Sequence, residues 1–208
     1  KRSFQSRLTV PKIKNYKKIK YKIKNLYLKS NINDENMSCV YAFSRLIKIN
    51  NKNFINSMKS FVGLPHRYEV FLKKKNVIFI NDSKATSFEA TKCALYSSKN
   101  IYWVLGGLPK KNDKIILNED KKNIVKAYLI GKNINFFKNQ IKNKINFTIS
   151  RSLKNSIIKI VNDIKLLDNK NNTILLSPAA ASYDQFLNFE KRGEEFKKWS
   201  KFYARKYI

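Results

Sequence analysis

The sequence predicts an α/β fold: a mostly parallel sheet flanked by helices, preceded by the end of another α/β domain. Three observations carry that expectation. From residue 63 onward, apolar runs of strand length alternate with helical stretches, the order that builds βαβ units. The runs are apolar almost without interruption, as in strands covered on both faces. The first 62 residues break the pattern, and Gly63 and Pro65 mark the join.

Residues 1–62 come first in the chain. Tyr21 to Lys29, YKIKNLYLK, alternates weakly and suggests a strand. A helix follows, capped by Asn33 or Asp34, with Met37, Val40, Tyr41, Ser44 and Ile47 at helical spacing. NKNFINSMKSF, from residue 51, reads as a second short helix. So few strands cannot close a core alone, so the segment reads as the tail of an upstream domain. Beyond it, strands are expected at 77–80, 101–105, 127–130, 145–149 and 173–176. Helices are expected between them at 87–98, 119–125, 133–141 and 151–167, with a last one at 190–206.

The chain has 208 residues, enough for one domain plus part of another. Its hydrophobic content of 43% suits a packed protein and not a disordered tail. The net charge of +30 is the mark of a nucleic-acid binder, and that remains the rival class. The distribution favours another reading. Lysine carries nearly all of the charge, spread along the chain among Asn and Ile. Base readout and bidentate phosphate recognition favour arginine. Cys39 and Cys93 are far apart and form neither a disulfide framework nor a zinc spacing, which fits a reducing cytoplasm. No apolar run approaches 18 residues, so no membrane span is expected. The first residues lack the apolar core of a signal peptide, and also an initiating Met. The chain is expected to begin within something longer.

In an open α/β sheet, ligands sit beyond the carboxyl ends of the strands. Three of the expected ends carry unusual polar groups: Asn81-Asp82-Ser83-Lys84-Ala85-Thr86, Gly106-Gly107-Leu108-Pro109-Lys110, and Ser177-Pro178-Ala179-Ala180-Ala181-Ser182. The other two, Gly131-Lys132 and Ser150-Arg151, read as plain capping. Lys84 and Lys110 are cations on loops. Thr86 and Ser182 place hydroxyls near helix starts, where anions are favoured. Each stretch also has a structural reading: a turn with an N-cap, a glycine turn, and a packing loop of small residues. Their coincidence on one sheet edge points to a small anionic ligand. His66, the only histidine, reads as structural, since one His builds no zinc site. No P-loop, G-x-G-x-x-G or G-x-S-x-G motif is present.

These stretches, with GLPHR (Gly63–Arg67) and LSPAAASYDQFLNFEKRG (Leu176–Gly193), resemble the C-terminal half of the D-glutamate-adding branch of the Mur ligase family. The resemblance covers about residues 30–208, with the motifs in the right order. It implies that 1–62 ends a central ATPase domain and that 63–208 is a Rossmann-like C-terminal domain. It implies an ATP- and magnesium-dependent ligase of peptidoglycan synthesis, joining D-glutamate to UDP-N-acetylmuramoyl-L-alanine through an acyl phosphate. By resemblance, Thr86, Lys110, Ser182, Tyr183 and Phe189 line the D-glutamate site, while Arg67, Asp82 and Lys84 reach ATP. The family's P-loop, magnesium ligands and modified lysine, with its N-terminal domain, would lie upstream, and no catalytic residue is assigned here. Such a fragment would be inactive alone, and an inactive split-gene product stays open beside it. Ser87 stands where the family commonly has Asn, Ala180 where Cys is frequent, and Ile32 where a His precedes Asn33 and Asn36.

Overall fold

The computed structural model describes residues 11–25, 28, 31–167 and 171–208. The chain divides into two compact units, Lys1–Gly63 and Leu64–Ile208.

The described part of the first unit is helical. It comprises α1 (Ile13–Ile23), a 3-10 turn (Asn31–Asn33), α2 (Asp34–Leu46) and α3 (Asn51–Lys59). Its core gathers Tyr16, Ile19, Ile23, Leu28, Met37 and Phe54. The strand expected at Tyr21 to Lys29 is corrected here. Tyr21–Ile23 close α1, Lys24 takes a left-handed cap, and residues 26, 27 and 29 lie outside the described residues. Tyr16, Ile19 and Ile23 recur at three and four residues, a helical period that overrides the weaker alternation beside it. Of the spaced apolar residues of α2, Met37 is buried, but Val40 and Ile47 are exposed.

The second unit is a six-stranded sheet. The strands are β1 (Glu69–Lys74), β2 (Val77–Asn81), β3 (Ile101–Gly106), β4 (Ile124–Ile130), β5 (Phe147–Arg151) and β6 (Asn172–Leu176). Their spatial order is β1-β2-β6-β3-β4-β5. Only β1 is antiparallel, paired with β2 as a hairpin edge; the other pairings are parallel. The five expected strands all form. β1 was not expected, because its half-buried EVFLKK reads as a charged surface run. Lysines on an edge strand also guard it against further pairing. The stretch expected as a helix at 119–125 is a 3-10 turn, Glu119–Asn123, and Ile124 already begins β4.

Handedness decides which face each helix covers. Helix α4 (Phe88–Ser97) leads from β2 to β3, and α5 (Ile134–Ile141) from β4 to β5, both moving the same way across the sheet. Helix α6 (Leu153–Leu167) returns from β5 to β6. Right-handed crossovers therefore put α4 and α5 on one face and α6 on the other. The core follows. One cluster joins Phe88, Leu95, Phe137 and Ile141 to Trp103, Leu105 and Leu129. The other joins Ile157, Ile160 and Val161, with Phe196 and Ala204 of α7 (Phe189–Tyr207), to Tyr102, Val104 and Tyr128. Successive residues of β3 thus serve opposite faces. Each fully buried large apolar side chain contributes roughly 1.5–3 kcal/mol. The chain leaves β2 toward one face and β6 toward the other, so the carboxyl ends of β2, β6 and β3 border a crevice.

Candidate functional site

The tip after β2 continues the ladder before it turns. The Asp82 amide donates to the Leu176 carbonyl at 2.7 Å, and Ala85 N–H closes the turn onto Asp82 O at 2.9 Å. Asn81, Asp82 and Ser83 are buried, while Lys84 is exposed and Thr86 half-buried. Ser87 then caps α4, accepting from the Ala90 amide.

Direct bonds join this tip to the other two. Ser177 Oγ donates to Asp82 Oδ2 at 2.7 Å, linking β6 to β2. Leu108 and Ala181 exchange backbone bonds of 2.8 and 3.0 Å, linking β3 to β6. The Phe88 amide donates to Asp113 Oδ2 at 2.9 Å, tying the turn that starts at Lys110 to the start of α4. Gly107 makes the second link possible. It sits at φ +138, and a Cβ there would collide with the Ala181 carbonyl oxygen. Asp184 accepts from the Lys132 amide at 2.9 Å, and Gln185 Nε2 donates to Arg151 O at 3.0 Å. The ends of β4 and β5, read from sequence as plain caps, are thus fastened to the same loop.

Each site residue named from sequence has a definite place. Lys110 is exposed on the β3 tip. Ser182 is buried, and its carbonyl accepts from the Gln185 and Phe186 amides. Tyr183 is 71% exposed, and Leu108 and Leu187 on the same tips are exposed as well. Phe189 opens α7, and Lys84 Nζ lies 3.9 Å from its ring centroid, a favourable cation–π contact. Arg67 is exposed on the loop before β1. Thr86, Lys110 and Ser182 therefore sit on three tips that are bonded to one another.

Asp82 departs most from what its sequence position suggests. It is 7% exposed. Oδ1 accepts from the Tyr68 amide at 3.0 Å and Oδ2 from Ser177. Burial pushes its carboxyl up to about 7, against the Ser177 hydroxyl, the Tyr68 amide and the Arg67 charge, which all favour ionisation. The side chain is first a fastener between β1, β2 and β6. The Ser177 carbonyl in turn accepts from Trp103 Nε1 at 2.7 Å. His66 is likewise structural. Its Nδ1 is 2.9 Å from Asn81 Nδ2, and Asn81 also donates to Glu69, which pairs with Lys197 at 2.7 Å.

Sequence reasoning missed Arg192. It lies in α7 at 1% exposure. Its Nε donates to Ser83 Oγ at 3.0 Å, Nη2 to Ser83 O at 2.8 Å and Nη1 to Ala180 O at 2.9 Å. Burial lowers its pKa to about 10, so it stays charged at neutral pH. The available signal was Gly193. A glycine inside a helix costs about 1 kcal/mol and marks a close approach, here to the His66 ring.

The arrangement suits an anionic small molecule: exposed lysines on the same tips as a half-buried and a buried hydroxyl. Arg67 and Lys84 have the chemistry to meet phosphates. Among the described residues no group of three His, Cys, Asp or Glu is placed to hold a metal ion. No described helix is long and apolar enough to cross a membrane.

No family model matches the chain. Curated relatives do. The chain is 40% identical over 164 residues to the UDP-N-acetylmuramoylalanine–D-glutamate ligase of Wolbachia sp. subsp. Brugia malayi, covering 79% of this chain and 33% of that protein. It is 37% identical over 169 residues to the Rhizobium meliloti ligase of the same name, covering 81% and 36%. The Rickettsia felis ligase is 36% identical over 184 residues, covering 88% and 41%. The chain thus spans about a third to two-fifths of the length of these relatives. Among solved structures, the MurF ligase of Thermotoga maritima in complex with ADP superposes with a TM-score of 0.56 at 16% identity, covering 84% of this chain and 39% of that one. The UDP-N-acetylmuramate-alanine ligase MurC of the same organism gives 0.57 at 12% identity, covering 83% and 38%. At such identities the likeness speaks for the fold.

Proposed function

We propose that this chain, which resembles the C-terminal part of the D-glutamate-adding Mur ligases, supplies the amino-acid site of such an enzyme. The whole enzyme would join D-glutamate to UDP-N-acetylmuramoyl-L-alanine, acting in the cytoplasm as part of peptidoglycan synthesis. The observation that carries this reading is the convergence of the three tips. Thr86, Lys110 and Ser182 come from separate strands, yet direct bonds fasten their loops together.

Magnesium-bound ATP would supply the energy by phosphorylating the L-alanyl carboxylate, with its metal held by residues of the whole enzyme upstream of this chain. The residues of this chain bind and orient. Lys110, with the Thr86 and Ser182 hydroxyls, holds the two carboxylates of D-glutamate. Charge-assisted contacts fit that task, being about twice as strong as neutral ones. Phe189 and Tyr183 give the carbon chain an apolar surface. Held this way, the free amine faces the activated carbonyl, and fixed orientation converts an encounter into a near-intramolecular step. The amine attacks, the tetrahedral centre collapses, and phosphate leaves. Arg67 and Lys84 steady phosphate charge from this side. Asp82 keeps a second lone pair on each oxygen with which to meet a ribose hydroxyl while still fastening the tips.

Phosphate release tests the reading. The intact protein containing this chain is expected to release phosphate only with UDP-N-acetylmuramoyl-L-alanine, ATP and D-glutamate together. The 208 residues alone are expected to release none. Release by the intact protein that ignores D-glutamate would overturn the assignment, as would turnover by the 208-residue chain.

A further inference from the structure

Arg192 stands where the three tips meet. Its guanidinium bonds twice to Ser83 on the β2 tip and once to Ala180 on the β6 tip. Nη1 lies 3.2 Å from where a Cβ on Gly107, in the β3 tip, would sit. Among the described residues no carboxylate is within ion-pair distance of it. Its buried charge is met directly by two carbonyls and a hydroxyl, with the Asp184 carboxylate acting on it from farther off. Such a group is costly to bury, so the acceptors around it must be held in place. Two further features lie beside those acceptors. Ala179 holds a left-handed backbone at φ 56 without being glycine, a conformation that persists only where its surroundings enforce it. Ser83 Oγ donates onward to the Phe189 carbonyl at 2.8 Å.

We infer that Arg192 is a positioning residue that sets the spacing between the Thr86 tip and the Ser182 tip, and so the width of the amino-acid pocket. What the pocket holds rests on the ligase reading above; the fastening does not. Thr86 lies three residues beyond Ser83 and Ser182 two beyond Ala180. Both hydroxyls therefore hang on short, stiff segments whose anchors share one planar fork. A lysine in its place keeps the charge, but one compact ammonium does not span Ser83 and Ala180 in the same geometry.

Two measurements on Arg192→Lys separate the parts of the argument. Hydrogen exchange on the 208-residue chain is expected to speed up at the amides of Lys84 to Thr86 and of Ala181 and Ser182, with α5 unchanged. In the intact enzyme, the KM for D-glutamate is expected to rise about tenfold, since misplacement of about 1 Å can cost up to about a hundredfold. The KM for the UDP-linked substrate should not move. Arg205→Lys, exposed on the same helix, is the control and should change neither. Ser83→Ala removes one acceptor of the fork while leaving the charge, and should give a smaller change in the same direction; it stands in if Arg192→Lys does not fold. Unchanged exchange at the tips, or a D-glutamate KM within about twofold of wild type in either variant, would overturn the inference. If the wild-type enzyme shows no D-glutamate dependence, the ligase reading fails, and the exchange experiment still judges the fastening.

Discussion

Replacing Asp82 with Asn should change how stability depends on pH. The carboxyl has an ordinary value near 3.8 and is pushed up to about 7, chiefly by burial. Between those values the folded chain keeps a proton that the unfolded chain has released. Stability therefore falls as pH rises through about 4 to 7 and levels off above it. At about 1.4 kcal/mol per tenfold, the full span withdraws about 4 kcal/mol. Asparagine keeps the shape and an acceptor for the Tyr68 amide. Its Nδ2 faces Ser177 Oγ, which can turn to accept. It carries no charge at any pH. Urea unfolding can be followed through Trp103, which is fully buried and donates to the Ser177 carbonyl beside Asp82. At pH 5 the variant is expected to be ahead by only about 1.5 kcal/mol, since the unfolded wild-type carboxyl has already released its proton there while the folded one still keeps it. At pH 8 the variant is expected to be more stable by about 2–4 kcal/mol. A difference that is the same at both pH values would refute the view that Asp82 is a desolvated fastener.

Two further substitutions probe the tips. Lys110→Ala in the intact enzyme should chiefly raise the D-glutamate KM, by about ten- to a hundredfold, the loss of a charge-assisted bond worth about 1.5–3 kcal/mol; steady-state kinetics showing no change would remove Lys110 from the site. Gly107→Ala should destabilise the second unit by at least about 2 kcal/mol, through a strained backbone and a collision with the Ala181 carbonyl; an unchanged denaturation midpoint would show that the Leu108–Ala181 bridge yields freely.

The sheet was legible because its central strands are apolar almost throughout. IYWVL and TILL are buried on both faces, and no helix of that length fits between their flanking turns. The edge strand β1 escaped because it is only half-buried, and Lys73 and Lys74 dilute its pattern. The helix α1 escaped because Lys18, Lys20 and Lys22 fall at every second position toward its end, which mimics a strand over a short window. Topology placed the candidate site, since parallel strands bring all their carboxyl ends to one edge. Burial was not legible. Asp82 and Lys84 lie two residues apart, one almost fully buried and the other exposed. Nothing in the order NDSKAT says that the acid turns inward to Tyr68 and Ser177 while the lysine turns out over Phe189.

The composition sharpens the case for Arg192. Of 44 basic residues only seven are arginine, so lysine is the default cation of this chain. An exposed cation tolerates that default, because a hydrated ammonium and a guanidinium serve a solvated face about equally. A fully buried cation with three fixed acceptors does not. An ammonium there would leave at least one buried carbonyl without a donor, at about 1–3 kcal/mol, and would be more costly to strip of water than a guanidinium. Where the geometry demands a flat fork, arginine remains, at 1% exposure against a lysine-rich exterior. A chain free to carry lysine almost everywhere else thus keeps its planar cation at the point where the tips of β2, β3 and β6 must hold one spacing. Surface charge in this protein is a matter of composition, and the buried Arg192 guanidinium is a matter of how the tips are joined.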